Sequence, residues 1–537
     1  MQLSRRRFLA LSATVVVGAC SGDDVAFDPD DSAPTPTGDG SASTVAGSTS
    51  STAADTSTTT TTTTTTTDPP VETAPGALLD ADPFAFGVAS GDPDESSVVL
   101  WTRLGRDLPV DEVALEWELT TDDGTTESGS VTVDASTGFS AHVVARASGP
   151  GEFVFRAGEW TSPTGRTAPI DPTTSELRIA TASCQNYEAG FYAAHRDIAE
   201  WSPDLVLFLG DFVYENAARE VGDGVVRTHE GPEPTDLDGY RTRYATYLSD
   251  PDLQACRAAA PWMAIWDDHE VDNDYAGLVS QDGDDPDEFA RRRAMAYRAW
   301  WENTPTRLDP PDPAAGSDVA YEIHRGVDVG DLVRISLLDG RQHRSDQLSD
   351  ATLDPAPPPP GWDDPERTML GGAQEGWIAQ RFSTSGATWN CLAQQTVLSD
   401  ARLGEAVLNY DQWDGYVPAR QRMLADAPAN LVTLTGDIHL AGVGLVGPID
   451  GPVGVEFITT AISSSANVPA DLAPLLDSLP AILHSELVSR GYTRHVVTPE
   501  SWTAQYRQVV DVLDPASEVV TWKTFRVDAG TTAVTTV

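Results

Sequence analysis

Positive charge is scarce in this chain. Of 537 residues only 34 are Lys or Arg, against 82 Asp and Glu, and the net charge is −48. That shortage excludes a nucleic-acid-binding role, which needs a basic face to neutralise phosphates. It suits a protein that works outside the cell or one that gathers cations, although most of the carboxylates are expected simply to solvate the surface. Long hydrophobic runs are missing as well. The apolar run Phe8–Val17 is too short to cross a bilayer. Cysteine is sparse, with four in all, so no dense disulfide framework holds the fold. Apolar content is nonetheless 40%, enough for a sizeable core, and the length allows two or three domains.

The first twenty residues read as a targeting segment. Adjacent arginines in "SRRRFLA", Ser4–Ala10, precede the apolar run in the pattern of a twin-arginine export signal. The run ends in "VGAC", Val17–Cys20, which is similar to the lipobox of bacterial lipoproteins. Cys20 is then expected to carry a lipid anchor after passage through the twin-arginine export machinery. The protein is expected to be extracytoplasmic, either membrane-anchored or secreted. Residues 21–75 are rich in Asp, Ser, Pro and Gly and include ten consecutive threonines, Thr58–Thr67. Such a stretch cannot bury a core and reads as a flexible tether.

Two folded parts follow. Residues 76–173 hold short alternating runs, "SVVLWTRL", "VALEWELTT", "SGSVTVD", "FSAHVVARA" and "GEFVFRAG", separated by Gly, Asp and Pro turns. They predict a small all-β sandwich of the fibronectin or immunoglobulin kind. Residues 174–537 change rhythm. "LRIATAS" runs into Cys184, "LVLFLG" into Asp211, "WMAIW" into Asp267 and Asp268, "VRISLLD" into Asp339 and Arg341, and "LVTLTG" into Asp437 and His439. Helices are expected between them, over Glu288–Glu302 and Gly376–Ser383. In α/β folds, ligands bind beyond the carboxyl ends of strands, where loops converge. The fold class expected is therefore α/β, with a small all-β domain ahead of it.

The densest of these stretches is "PWMAIWDDHEVDNDYAG", Pro261–Gly277, where an apolar run breaks into Asp267, Asp268, His269, Glu270, Asp272 and Asp274. Clustered acid at one strand end is tolerable when cations neutralise it. Strand alternation would send Asp267 and Asp268 in opposite directions, which makes one of them a ligand and the other its support. "GDFVYE" places Tyr214 close behind Asp211, and "GDIHLAG" places His439 close behind Asp437. An aspartate oxygen can bridge two cations. Imidazole suits a transition metal, and oxygen-rich positions suit a hard ion such as Ca²⁺. A tyrosine ligates as phenolate beside a strong Lewis acid such as Fe³⁺, and the Cys184 thiolate needs a metal to stay deprotonated. The odd set Cys184, Cys256 and Cys391 leaves at least one thiol unpaired.

Taken in order, "FAFGVASGDPDESSVVLWTRL", "ATASCQ", "GDFVYE", "WDDHEVDNDYAG", "LLDGRQHRSDQ", "QEGWIAQRFSTSGATWNCLAQQ", "LTGDIHLAGV" and "RGYTRHVVTPESWTAQYRQV" resemble the PhoD-type alkaline phosphatases and phosphodiesterases. These fall within the calcineurin-like metallophosphoesterases. The resemblance implies a metallophosphoesterase core of facing sheets flanked by helices. It implies Fe³⁺ held by Tyr214 and Cys184, Asp211 bridging iron to Ca²⁺, and Asp437 and His439 completing the metal set. "DDHE" stands where wider relatives carry Gly-Asn-His-Glu, which places Asp268 at a metal position and His269 at the catalytic histidine. The implied activity is hydrolysis of phosphate monoesters, with in-line attack by water that the metals activate. Arg341 is expected to hold a phosphate oxygen. "ISSSAN", Ile462–Asn467, is polar, but no base is evident beside it, so a serine nucleophile is not expected. Two alternatives stand beside this: a diesterase acting on lipid or cell-wall phosphodiesters, and a lipid-anchored binding protein without activity.

Overall fold

A computed structural model describes residues 79–537, apart from 106–107, 223, 315–319 and 350–356. The export signal, Cys20 and the tether lie outside the described residues. Two sheets face each other across the main core. The first has ten strands, and at its middle Leu177–Ala182, Leu205–Phe208 and Pro261–Ala264 run parallel. The second has seven, with Val333–Leu337, Trp389–Ala393, Leu431–Thr435 and Gly454–Ile458 parallel at its middle. These strands are almost wholly buried, which is why they read as unbroken apolar runs rather than alternating ones. Ile179, Val206 and Leu207 of the first sheet share one core with Ile335, Leu434 and Phe457 of the second.

Helices cover the outer faces. The longest, Pro286–Asn303, starts where Asp285 accepts from the backbone N–H groups of Asp287 and Glu288 and a proline opens the first turn. The helix expected at 376–383 begins earlier, at Gly371, and packs Ile378 and Phe382 against Leu392. Among the described residues, no helix is long and apolar enough to cross a membrane.

The five strands expected before residue 173 all form, but they divide between layers. Glu112–Thr121, Thr126–Asp134 and Gly151–Ala157 belong to a separate five-stranded sheet. Ser97–Arg103 and Ser140–Arg146 instead continue the ten-stranded sheet, joined to it by Val88–Gly91, which pairs in parallel with Pro261–Ala264. The sandwich therefore borrows one layer from the neighbouring sheet. Val98 and Leu100 face its core while Trp101 faces the main one, and the Trp101 indole donates to the Glu302 carbonyl at 3.1 Å. This pairing covers an edge that Pro261–Ala264 would otherwise leave open.

Candidate metal centre

The polar residues that end the central strands meet where the two sheets come together, although the strands that deliver them belong to two sheets rather than one. The loops there are strained. Cys184, Asp211 and Asp437 all sit at φ 59° and His439 at 58°, in the left-handed region that costs an ordinary residue roughly 1–2 kcal/mol. Such strain concentrates where geometry serves a site. Gly210, at φ +109°, lets the Asp211 loop pass against the next one, since a Cβ there would collide with Asp267. Glu270, fully buried, ties the same two loops together by accepting from the backbone N–H groups of Asp211 (3.0 Å), Phe212 (2.5 Å) and Asp267 (2.8 Å).

Three groups of side chains each place their ligand atoms within 4.8 Å of one another: Cys184, Asp211 and His439; Asp211, Asp268 and His269; and Asp267, Asp268 and Asp437. Asp211 and Asp268 link the groups into a chain. Tyr214 joins the first, its hydroxyl 2.8 Å from Asp211 Oδ2 and 3.2 Å from His439 Nε2. His439 Nδ1 donates to the Ser465 carbonyl at 2.6 Å, so its Nε2 carries the lone pair and faces the group. Burial pushes His439 down to about 3, which keeps the ring neutral. Burial, reinforced by Asp211, pushes the Cys184 thiol and the Tyr214 phenol well up.

In the carboxylate groups, burial raises Asp211 well above the usual range, and Asp268, Asp267 and Glu270 add to the effect. Burial likewise raises Asp267 against the pull of Arg341, and lifts Asp437 to about 7 with help from Asp411. Asp268 is held below its usual range because Arg341 and His269 outweigh its burial. Asp211 Oδ1 and Asp267 Oδ2 are buried without a hydrogen-bond donor. Buried carboxylate oxygens without donors, beside a thiol and a phenol that only a cation would deprotonate, are a donor set that fits metal ions.

Asp267 and Asp268 do not point apart. The strand stops at Ala264, and the two aspartates lie in the turn beyond it, where side chains no longer alternate, so both reach the same group. Arg341 also departs from expectation. Its guanidinium is fully buried and donates to Asp267, to Asp411 at 2.8 Å and to Asp437 at 3.0 Å. Those donors face carboxylates instead of an open phosphate position. His269 lies at the partly open side, its side chain 15% exposed, with Nδ1 2.7 Å from Glu215 Oε2. Burial opposes its charge, but Glu215, Asp211 and Asp268 outweigh that and raise it well above the ordinary histidine range.

Several contributors escaped the sequence. Asp411 accepts from Arg341, Arg344 and Gln347; it lies in "YDQWD", which follows no apolar strand run. Glu215 ends the "GDFVYE" stretch, and its partner, His269, is set only by the fold. The serine stretch supplies no nucleophile but frames the first group: Ser464 Oγ lies 2.7 Å from both the Tyr214 hydroxyl and the Cys184 carbonyl. Cys256 and Cys391 are buried and unpaired, as is Cys184.

Facing sheets whose strand ends gather carboxylates, imidazoles, a phenol and a thiol make up the core of a metallophosphoesterase. The chain belongs to the PhoD-like phosphatase family, whose main domain matches residues 179–506 and whose N-terminal domain matches residues 71–170. It is 36% identical over 478 residues to alkaline phosphatase D of Bacillus subtilis (strain 168), covering 82% of this chain and 80% of that protein. A solved structure of PhoD superposes with a TM-score of 0.80 at 34% identity, covering 86% of this chain and 93% of the other.

Proposed function

We propose that the protein is a metal-dependent phosphatase that hydrolyses phosphate monoesters. The observation that carries this reading is the chain of three ligand groups linked through Asp211 and Asp268, in a member of the PhoD-like phosphatase family. Cys184, Asp211, Tyr214 and His439 form a set suited to Fe³⁺, and Asp211, Asp267, Asp268 and Asp437 a set suited to Ca²⁺. Cations bound there would supply positive charge for phosphoryl oxygens and would make a water nucleophilic at neutral pH. His269, kept protonated by Glu215, donates its proton to the departing alkoxide. Arg341 acts as a positioning residue that orients Asp267 and Asp437 from behind. Glu270 keeps two ligand loops in register through their backbone N–H groups.

An aryl phosphate monoester assayed beside a bis-aryl phosphate tests the reading. Turnover of the monoester, abolished by chelation and restored by iron with calcium, is the expected result. Full activity in protein that holds neither metal would overturn it. Export and tethering through Cys20 complete the proposal, supported by "SRRRFLA" and "VGAC". Cys20→Ser should release activity into the medium, and a variant that stays membrane-bound would refute the anchor.

A further inference from the structure

The serine stretch that the metal chemistry leaves unused reaches the first ligand group directly. Ser464 is buried, at 2% exposure, and its Oγ has three polar neighbours. The backbone N–H of Asn186 donates to it at 3.1 Å. The Cys184 carbonyl and the Tyr214 hydroxyl oxygen each lie 2.7 Å away. A serine hydroxyl holds one proton and two lone pairs. Asn186 takes up a lone pair, so the single proton goes either to Cys184 or to Tyr214. The Cys184 carbonyl does not depend on it, because the backbone N–H groups of Ser463 and Ser464 already donate to that oxygen at 3.4 and 3.2 Å. Among the described residues, the Tyr214 oxygen has no other donor. Its remaining neighbours are Asp211 Oδ2 at 2.8 Å, which accepts its proton, and the lone pair of His439 Nε2 at 3.2 Å. The serine is also fixed in place by the loop that carries Cys184: Ser463 Oγ donates to the Asn186 carbonyl at 2.7 Å, and the Ile462 N–H to the Ser183 carbonyl at 2.9 Å.

We infer that Ser464 is a positioning residue that donates a hydrogen bond to the Tyr214 oxygen when that oxygen ligates iron, and so sets how much electron density the phenolate gives to the metal. The inference rests on the iron reading above and adds a residue that tunes it. A phenolate oxygen only accepts. A hydrogen bond to a charged acceptor is about twice as strong as one to a neutral carbonyl, which favours Tyr214 over Cys184. The contact is buried, so bulk water does not compete for it. A donor at a ligand atom draws charge away from the metal, and outer partners of this kind tune ligand basicity and reduction potential. Iron that faces a less generous phenolate is the stronger Lewis acid towards a phosphoryl oxygen. The same bond lowers the energy of the phenolate electrons, which widens their gap to the metal orbitals and places the charge-transfer band at shorter wavelength.

The experiment is the visible spectrum, iron content and iron reduction potential of the purified, metal-loaded protein, parent against Ser464→Ala and Ser464→Thr. Ser464→Ala removes the donor and leaves Cys184, Asp211, Tyr214 and His439 in place. It should keep its iron, move the band to longer wavelength and lower the reduction potential. Ser464→Thr supplies a hydroxyl again and should bring band and potential back towards those of the parent, a separation that a merely structural role would not produce. A parental band left unchanged by Ser464→Ala would overturn the assignment of Ser464 and leave the iron reading intact. So would an equal shift in both variants, which would trace the effect to packing, or loss of iron from Ser464→Ala. A metal-loaded parent with no such band would overturn the iron reading and the assignment with it.

Discussion

The two ends of the metal centre are built from opposite materials. At one end a thiol, a phenol and a neutral imidazole surround Asp211, all buried and all pushed towards their uncharged forms. At the other, Asp267, Asp268 and Asp437 crowd together around the guanidinium of Arg341. The first end needs no countercharge, because its groups can stay neutral until a strong Lewis acid deprotonates them. The second cannot stay neutral throughout, so the fold supplies an internal cation and a ring of supporting donors. A set of groups that can stay neutral and a set of crowded carboxylates thus lie side by side, linked through Asp211 and Asp268.

The sharpest way to break the comparison is to remove Asp211, which belongs to the first ligand group and is linked to the second end through the group it forms with Asp268 and His269. Asp211→Asn should lose metal from both and lower kcat/KM by far more than about 100-fold, the upper range for losing a group that only supports a ligand. Loss of one metal with the other retained would show that the ends are independent. Within the hard end, Asp268 belongs to two ligand groups and Asp267 to one. Asp268→Asn should therefore be the more damaging, and Asp267→Asn, which removes a carboxylate from one group only, should lose less kcat/KM and less bound metal. Kinetics and metal content of the two variants decide this, and the reverse order would make Asp267 the principal ligand.

A smaller effect should appear in the metal-free protein. Asp437 titrates at about 7 when folded against an ordinary value of 3.8. Between those values the folded state binds more protons than the unfolded state at this group, so its contribution to stability is lost as pH rises. Metal-free Asp437→Asn should match the parent near the bottom of that window and exceed its melting temperature above the top. A constant difference across the window would contradict the assignment. Calcium should raise the melting temperature of the parent at the alkaline side and much less that of the variant.

Much of this was legible in the sequence because buried parallel strands announce themselves. "LVLFLG" and "LVTLTG" are continuous apolar runs, and each stops at a residue that the structure brings to the centre. What strand patterns do not carry is which sheet a strand joins. Ser97–Arg103 has the run of a sandwich strand, yet it pairs into the ten-stranded sheet and is buried on both faces. Spacing also says little about side chains beyond a strand end, which is why Asp267 and Asp268 were expected to diverge and instead converge. Asp411 was invisible for a related reason: its role depends on Arg341 and Arg344, far away in the chain, reaching it at 2.8 and 2.6 Å. The Arg341 motif was visible, but its partners were not, and a buried guanidinium takes its role from its partners.

The most direct measurement is metal content together with the visible spectrum of the purified protein, parent against Tyr214→Phe. The parent should hold iron and calcium and show a tyrosinate-to-iron absorption band that Tyr214→Phe bleaches or shifts, with calcium retained. A colourless parent that contains neither metal and is fully active, or a band unchanged by Tyr214→Phe, would contradict it.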